Sequence, residues 1–237
     1  MEPYIIVYLI PLTLFASLIY FILIRQNSFE KRVAQYTPRH KLPQKRQVHI
    51  EQQKRQLKQY RLMFPLIGIG MILYFGYLHY SDEGTLTLSP LLISNVIFAA
   101  CFTFLMSYLF IGITKRNIKA QQMLLETMSD TDYNLYLKIV KEQPSYLPQV
   151  MVCQEKLYFI LNYSLKEFEL SKIIWASLDE DRGLFFKLSV IQGEEKDGVI
   201  KQQRSGSVTL PKQVGQMLKN LIDSYRFPSY YDDDNQR

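Results

Sequence analysis

The residues of this chain that could do chemistry are few, and most lie in its C-terminal half. Cys153 could act as a nucleophile, but such a thiol needs a base beside it, and no histidine follows His79. The run Asp-Glu-Asp at 179–181 could bind a metal or transfer protons, although acids followed by Arg-Gly are also typical of a solvated turn. We interpret Cys153 as a strand residue and 179–181 as a turn.

Sequence motifs with a known mechanism do not change this interpretation. The chain contains no glycine-rich phosphate loop and no G-x-S-x-G serine motif. His40 and His49 are nine residues apart, without carboxylate or cysteine ligands at metal-binding spacing. Two cysteines are too few for a disulfide framework or a four-cysteine zinc site. The sequence therefore predicts a non-enzymatic protein with no catalytic residues, no metal and no cofactor.

Trp175 is the only tryptophan and the one candidate for binding a partner protein. A large aromatic ring on a surface is a frequent anchor in protein interfaces. The same ring could equally lie in the core, or half-buried on a strand, and the sequence leaves both alternatives open.

Three long apolar runs without charged residues precede these candidates. We expect these runs to anchor the C-terminal half of the chain in a membrane. About 20 residues of helix cross the hydrocarbon core of a bilayer. We assign transmembrane helices to residues 1–24, 62–80 and 90–114. The first run is longer than the apolar region of a usual signal peptide, so we expect it to be retained as a span.

Charge sets the orientation of the three predicted spans. The segment 25–61 contains eleven Lys or Arg and two acids, whereas the connector 81–89 contains two acids and no basic residue. Basic segments stay on the cytoplasmic side. The sequence therefore predicts a multi-pass protein of the plasma (inner) membrane, with its N-terminus outside and its C-terminus in the cytoplasm.

The basic segment 25–61 carries more than the whole net charge of +6. The charge of the chain is thus no sign of a nucleic-acid-binding domain. These side chains could attract anionic lipid headgroups, at about 1 kcal/mol each. Alternatively, they could serve only to set the topology. The candidate headgroup contacts are Lys41, Lys45, Arg46, Lys54, Arg55 and Lys58.

The cytoplasmic region that follows the third span changes its hydrophobic period twice. Residues 115–147 have a helical pattern, with a capping sequence at 129–132 opening a helix over about 130–142, and we expect a helical linker there. Residues 148–228 begin with about seven short strand patterns and end with an amphipathic helix over 211–222. An acidic tail, 229–237, follows.

About seven strands followed by one helix resembles the pleckstrin-homology-like (PH-like) cytoplasmic domains of small bacterial membrane proteins. The resemblance rests on Lys156–Phe159, Leu170–Trp175, the turn at 193–198 and the helix 211–222. It implies a binding or scaffolding module. The phosphoinositide-binding version has clustered basic residues between its first two strands, where this chain has only Lys156, so the resemblance does not extend to inositol phosphates.

The predicted fold class is an α+β membrane protein, in which three transmembrane helices carry a cytoplasmic PH-like barrel or sheet capped by a C-terminal helix. We expect this domain to bind a partner protein or to regulate a membrane complex. Two alternatives stay open: an accessory subunit of a transport or secretion complex that acts through its spans, or a sensor of anionic lipid that uses 25–61. The expected partners are membrane lipids and a protein at the membrane, not nucleic acid.

Overall fold

A computed structural model gives the architecture of most of the chain. It divides into two compact units, a helical unit (Met1–Tyr20 with Lys41–Lys119) and an α+β unit (Phe21–His40 with Ala120–Arg237). The structure describes residues 13, 17, 20, 26–38, 41–83, 90–144, 147–181, 183, 185–196 and 199–226.

The helical unit contains two long helices, α2 (Gln44–Glu83) and α3 (Pro90–Thr127). Both are long and apolar enough to cross a membrane, with mean hydropathies of 1.6 and 2.3 in their most apolar stretches. They contain the second and third predicted spans. Helix α2 begins at Gln44, within the basic segment 25–61, and continues into the second predicted span without a break. The first predicted span lies outside the described residues, apart from positions 13, 17 and 20.

Small and aromatic side chains let α2 and α3 pack antiparallel. A Cβ on Gly68 would lie 3.0 Å from Thr103 Cγ2, so a larger residue would require Thr103 to shift. About one helical turn from Gly68, the rings of Phe64 and Phe110 have their centroids 5.4 Å apart. An apolar cavity of about 350 Å³ lies beside these rings. Close backbone approach at a small residue is the usual way for helices to associate in a bilayer.

The α+β unit begins with α1 (Ser28–Gln35) and resumes with the last turns of α3 and with α4 (Asp130–Glu142). Ser129 caps α4 by accepting a hydrogen bond from the Asp132 amide, as the capping sequence predicts. Leu125 and Ile139 are fully buried. The segment predicted to be a linker therefore contributes to the packed core of this unit.

Six described strands form two antiparallel sheets of three, in the orders β1–β2–β3 and β4–β5–β6. The sequence pattern predicts seven strands. The difference arises because β6 continues through the polar stretch at 204–207, where pairing with β5 outweighs the low strand propensity of these residues. The 179–181 run is the end of β4 and not a turn. The strands are β1 (Gln149–Cys153), β2 (Lys156–Ile160), β3 (Leu165–Glu169), β4 (Ile173–Asp181), β5 (Phe185–Lys196) and β6 (Val199–Pro211).

The core lies between the two sheets and is closed by α5 (Lys212–Arg226). The apolar stripe predicted for this helix is buried at Val214, Leu218 and Ile222. Gly206 on β6 brings the sheets together, since a Cβ there would lie 2.6 Å from Phe168 Cζ on β3. A 3-10 turn, Leu170–Lys172, carries the chain from the first sheet to the second.

Candidate functional site

The most elaborate polar arrangement in the α+β unit is the docking site of α1 on the first sheet. Helix α1 forms because Asn27 and Glu30 make a capping box: the Asn27 side chain accepts from the Glu30 amide at 2.9 Å, and Glu30 accepts from the Asn27 amide at 3.0 Å. One face of the helix is apolar, and its Phe29 and Val33 are each only 1% exposed. A segment that reads as part of a basic loop is therefore a structural element of this unit.

Glu30 and Asn27 bind the outer edge of β3, the side that faces away from β2. The second carboxylate oxygen of Glu30 accepts from the Leu165 amide at 2.9 Å, and the Asn27 amide group donates to the Leu165 carbonyl oxygen at 2.6 Å. Glu30 is 4% exposed, so these bonds form away from water. Two side chains thus satisfy both backbone groups of Leu165, as a neighbouring strand would.

Side chains from the second sheet satisfy further groups on the same edge. Arg204 on β6 donates to the Glu167 carbonyl oxygen at 3.3 Å, and the buried side chain of Gln192 accepts from the Glu169 amide at 3.0 Å. Lys166 reaches back to the Ser205 carbonyl oxygen at 2.9 Å. The two sheets are therefore joined along β3 and β6 by side chains, together with the core between them.

A buried carboxylate, Glu167, ties α1 to the first sheet electrostatically. It pairs with Arg32 of α1 at 2.5 Å and with Lys156 of β2 at 3.1 Å. Burial raises the pKa of Glu167, but the hydrogen bonds from Arg32 and Lys156 outweigh this effect, so that its pKa lies below the usual range. The carboxylate is therefore charged at neutral pH.

Aromatic contacts complete the docking site. The rings of Phe29 and Tyr158 have their centroids 5.0 Å apart, and the Arg32 guanidinium lies 5.5 Å from the Phe29 centroid. The Tyr158 hydroxyl donates to Glu167 at 3.3 Å. Burial, reinforced by the Glu167 charge, raises the pKa of Tyr158, so this hydroxyl stays a donor.

A second surface of interest is the outer face of the second sheet, which we call the Trp175 face. The strand registers place Trp175 beside Ile191, and a row of serines crosses all three strands next to them. Trp175 is 44% exposed, so the structure places the ring predicted as a partner anchor at the surface. The face consists of Trp175, Ser177, Asp179, Lys187, Ser189, Ile191, Ser205, Ser207 and Thr209.

The structure also places the basic residues predicted to contact lipid. Five of them are exposed on or just before α2, and the sixth, Arg46, is only 9% exposed. Arg46 is therefore poorly placed to reach a headgroup. The five exposed residues are Lys41, Lys45, Lys54, Arg55 and Lys58.

The groups that could have done chemistry are held in structural roles. Cys153 is 1% exposed, and its sulfur lies 3.8 Å from the Leu124 carbonyl oxygen. Asp179 accepts from Ser177, and Asp181 accepts from Thr209. In the part of the chain that the structure describes, no three His, Cys, Asp or Glu side chains are grouped to hold a metal ion.

Comparisons with known protein families, with curated proteins and with solved structures gave no match to this chain. A functional argument therefore has to rest on surfaces of this structure, such as the docking site of α1 and the Trp175 face.

Proposed function

We propose that the chain is a non-enzymatic integral membrane protein whose α+β unit binds a partner protein in the cytoplasm through the Trp175 face. The observation that carries the proposal is the exposure of Trp175, at 44%, beside Ile191 on the outer face of the second sheet. Tryptophan is enriched among the residues that dominate binding energy in protein interfaces. The serines around it offer hydrogen bonds and little steric hindrance.

The proposed orientation follows the positive-inside rule. Helices α2 and α3 carry the two segments that can cross a membrane, and the exposed basic residues at 41–58 precede the apolar part of α2. This arrangement supports a plasma-membrane protein in which residues 3–24 form a further span, with 25–61 and the α+β unit on the cytoplasmic side.

The PH-like interpretation belongs to the same proposal. Two three-stranded antiparallel sheets followed by a helix that packs on the core support it, with one strand fewer than the seven predicted. The turn between β1 and β2 consists of Gln154 and Glu155 with positive φ angles, a tight hairpin turn. Gln154 is bonded to Asp132 and to the Thr127 carbonyl oxygen. This short, occupied turn favours a protein partner over an inositol phosphate.

A non-catalytic role is supported by where the reactive groups lie. The thiol of Cys153 is enclosed by the end of α3, and the acids of β4 are bonded to hydroxyl groups of the same sheet. A nucleophile needs an approach path and a base, and an acid–base pair needs a cleft. Cys153 and the acids of β4 are instead engaged in bonds within the unit.

The test is photo-crosslinking of the full-length protein in its own membrane, with Trp175→Ala compared against Tyr163→Ala. Tyr163 lies in the β2–β3 connection and is 60% exposed, so it is a matched aromatic control away from the Trp175 face. We expect Trp175→Ala to lose one specific crosslinked protein that Tyr163→Ala retains, with unchanged stability. The same crosslinked proteins in both variants would refute the proposed binding face.

A further inference from the structure

We propose that Lys166 and Arg204 bind the phosphate of an anionic lipid headgroup at the membrane surface. This inference rests on the proposed membrane attachment through residues 3–24. It concerns a pocket of the α+β unit that is separate from the basic residues at 41–58 and shares only Ser205 with the Trp175 face.

The pocket is a cavity of about 200 Å³ where α1, β3 and β6 meet. Its volume suits a phosphate group and its first substituent. Its lining combines Phe29 and Phe168 with the polar residues Asn27, Lys166, Glu167, Arg204 and Ser205. The residues that matter to binding are Lys166, Arg204, Asn27 and Ser205.

The two cations at this pocket are bonded to uncharged oxygen atoms. Lys166 donates to the Ser205 carbonyl oxygen, and Arg204 donates to the Glu167 carbonyl oxygen and to the Ser28 hydroxyl at 3.3 Å. Among the described residues, neither cation forms an ion pair, because the Glu167 carboxylate is engaged by Arg32 and Lys156. Two neighbouring positive charges beside a cavity attract a phosphate, and arginine binds it with a planar fork of donors.

The proposed span at residues 1–24 would hold this pocket close to the headgroup layer. Asn27, which borders the pocket and is bonded to β3, follows Ile24, the end of the first predicted span, by three residues. Three residues of chain reach at most about 10 Å. The headgroup layer on one side of a bilayer is about 5–8 Å thick, so Asn27 cannot lie far above it. A lipid phosphate is the anion present at high density at that depth.

The experiment uses full-length protein in nanodiscs with a phosphatidylglycerol analogue that carries a photoreactive group on its headgroup. Crosslink yield is measured on the peptides that contain Lys166 and Arg204. The variant Lys166→Gln/Arg204→Gln is compared with Lys138→Gln/Lys187→Gln, which removes two exposed charges from α4 and β5. Each basic residue near the surface enriches anionic lipid about fivefold, so we expect the first variant to lose more than about tenfold in yield. We expect the control to change less than about twofold.

Equal yields in the two variants would overturn the inference. Because Lys166 and Arg204 also join the sheets, competition on the unmodified protein provides a second measurement. Unlabelled phosphatidylglycerol should displace the crosslink at these peptides, and phosphatidylcholine should not; equal displacement would also overturn it. A zwitterionic photoreactive lipid tests the attachment separately. Crosslinks at residues 26–38 with that probe support the attachment, and their absence with every probe would refute the proposed attachment itself.

Discussion

Replacing Glu30 with alanine should destabilise the α+β unit, although Glu30 lies far from this unit's strands in sequence. The carboxylate accepts hydrogen bonds from two backbone amides, of Asn27 and Leu165, and is 4% exposed. In Glu30→Ala neither amide keeps this acceptor. Asn27 is exposed, so water can satisfy its amide, but Leu165 is fully buried and its amide is left without a partner.

The expected loss of stability follows from the different burial of these two amides. An unsatisfied buried amide together with a lost charged hydrogen bond costs about 2–3 kcal/mol. Loss of one half of the capping box at Asn27 adds about 0.5–1 kcal/mol. We therefore expect the free energy of unfolding to fall by about 3 kcal/mol.

Trp175 provides the assay, because it is the only tryptophan and lies on β4 of this unit. Its emission during urea unfolding of the full-length protein in micelles reports the α+β unit alone. With a slope of about 2 kcal/mol per molar urea, the midpoint should decrease by about 1.5 M. Amide hydrogen exchange at Leu165 should accelerate in the same variant, because that amide is bonded to Glu30.

The matched control is Glu142→Ala, which removes an exposed carboxylate at the end of α4 and should cost less than about 0.5 kcal/mol. If Glu30→Ala and Glu142→Ala unfold at the same urea concentration while Leu165 stays protected, α1 is not a structural part of this unit and the reasoning fails.

Two further predictions concern the closure of the sheets and its dependence on pH. Gly206→Ala places a Cβ 2.6 Å from Phe168 and should cost about 1–3 kcal/mol by the same fluorescence assay. Ser205→Ala, at the exposed neighbouring residue of β6, should cost less than about 0.5 kcal/mol, and equal losses would contradict the close approach. The lowered pKa of Glu167 means that its ion pairs stabilise the fold above the ordinary carboxyl pKa of about 4.3, a stabilisation lost as pH falls through the folded value. Glu167→Gln should therefore lose less stability than the unmodified protein between pH 6 and pH 3, and an identical loss would show that Glu167 contributes nothing.

Local signals in the sequence account for the elements that were predicted well. Helix α4 begins where Ser129 offers a cap, and α5 carries its apolar stripe at the predicted helical spacing. Helices α2 and α3 follow from long apolar runs. In each case the deciding interactions lie within a few residues of one another, so the pattern alone contains the information.

The structural role of α1 could not be predicted from local sequence signals. The pattern Asn27-x-x-Glu30 is a capping signature and would have indicated a helix within the basic segment. It could not indicate a docking position, because the Asn27 side chain bonds to Leu165, 138 residues away. Because many basic residues surround this pattern, we interpreted the segment as one that sets the membrane topology or binds lipid.

Tertiary pairing also decided the strands that were predicted incorrectly. Ser205 and Gly206 are weak strand formers and suggest a break, yet β5 pairs with β6 across both residues. Likewise the acids at 179–181 suggest a turn, but Asp181 pairs with Phe185 and accepts a hydrogen bond from Thr209. Such pairing is visible only once the neighbouring strand is in place.

The long separation between α1 and β3 has a consequence for how the protein is made. Helix α1 leaves the ribosome early, and its partner Leu165 is synthesised 138 residues later. At 5–20 residues per second this interval is about 7–28 s. During that time the apolar side chains of Phe29 and Val33 lack the sheet that will cover them, and α2 and α3 are synthesised in between. The α+β unit can therefore complete its fold only after both long helices have been synthesised. A chain interrupted before β3 has an uncovered α1 that chaperones and proteases can recognise.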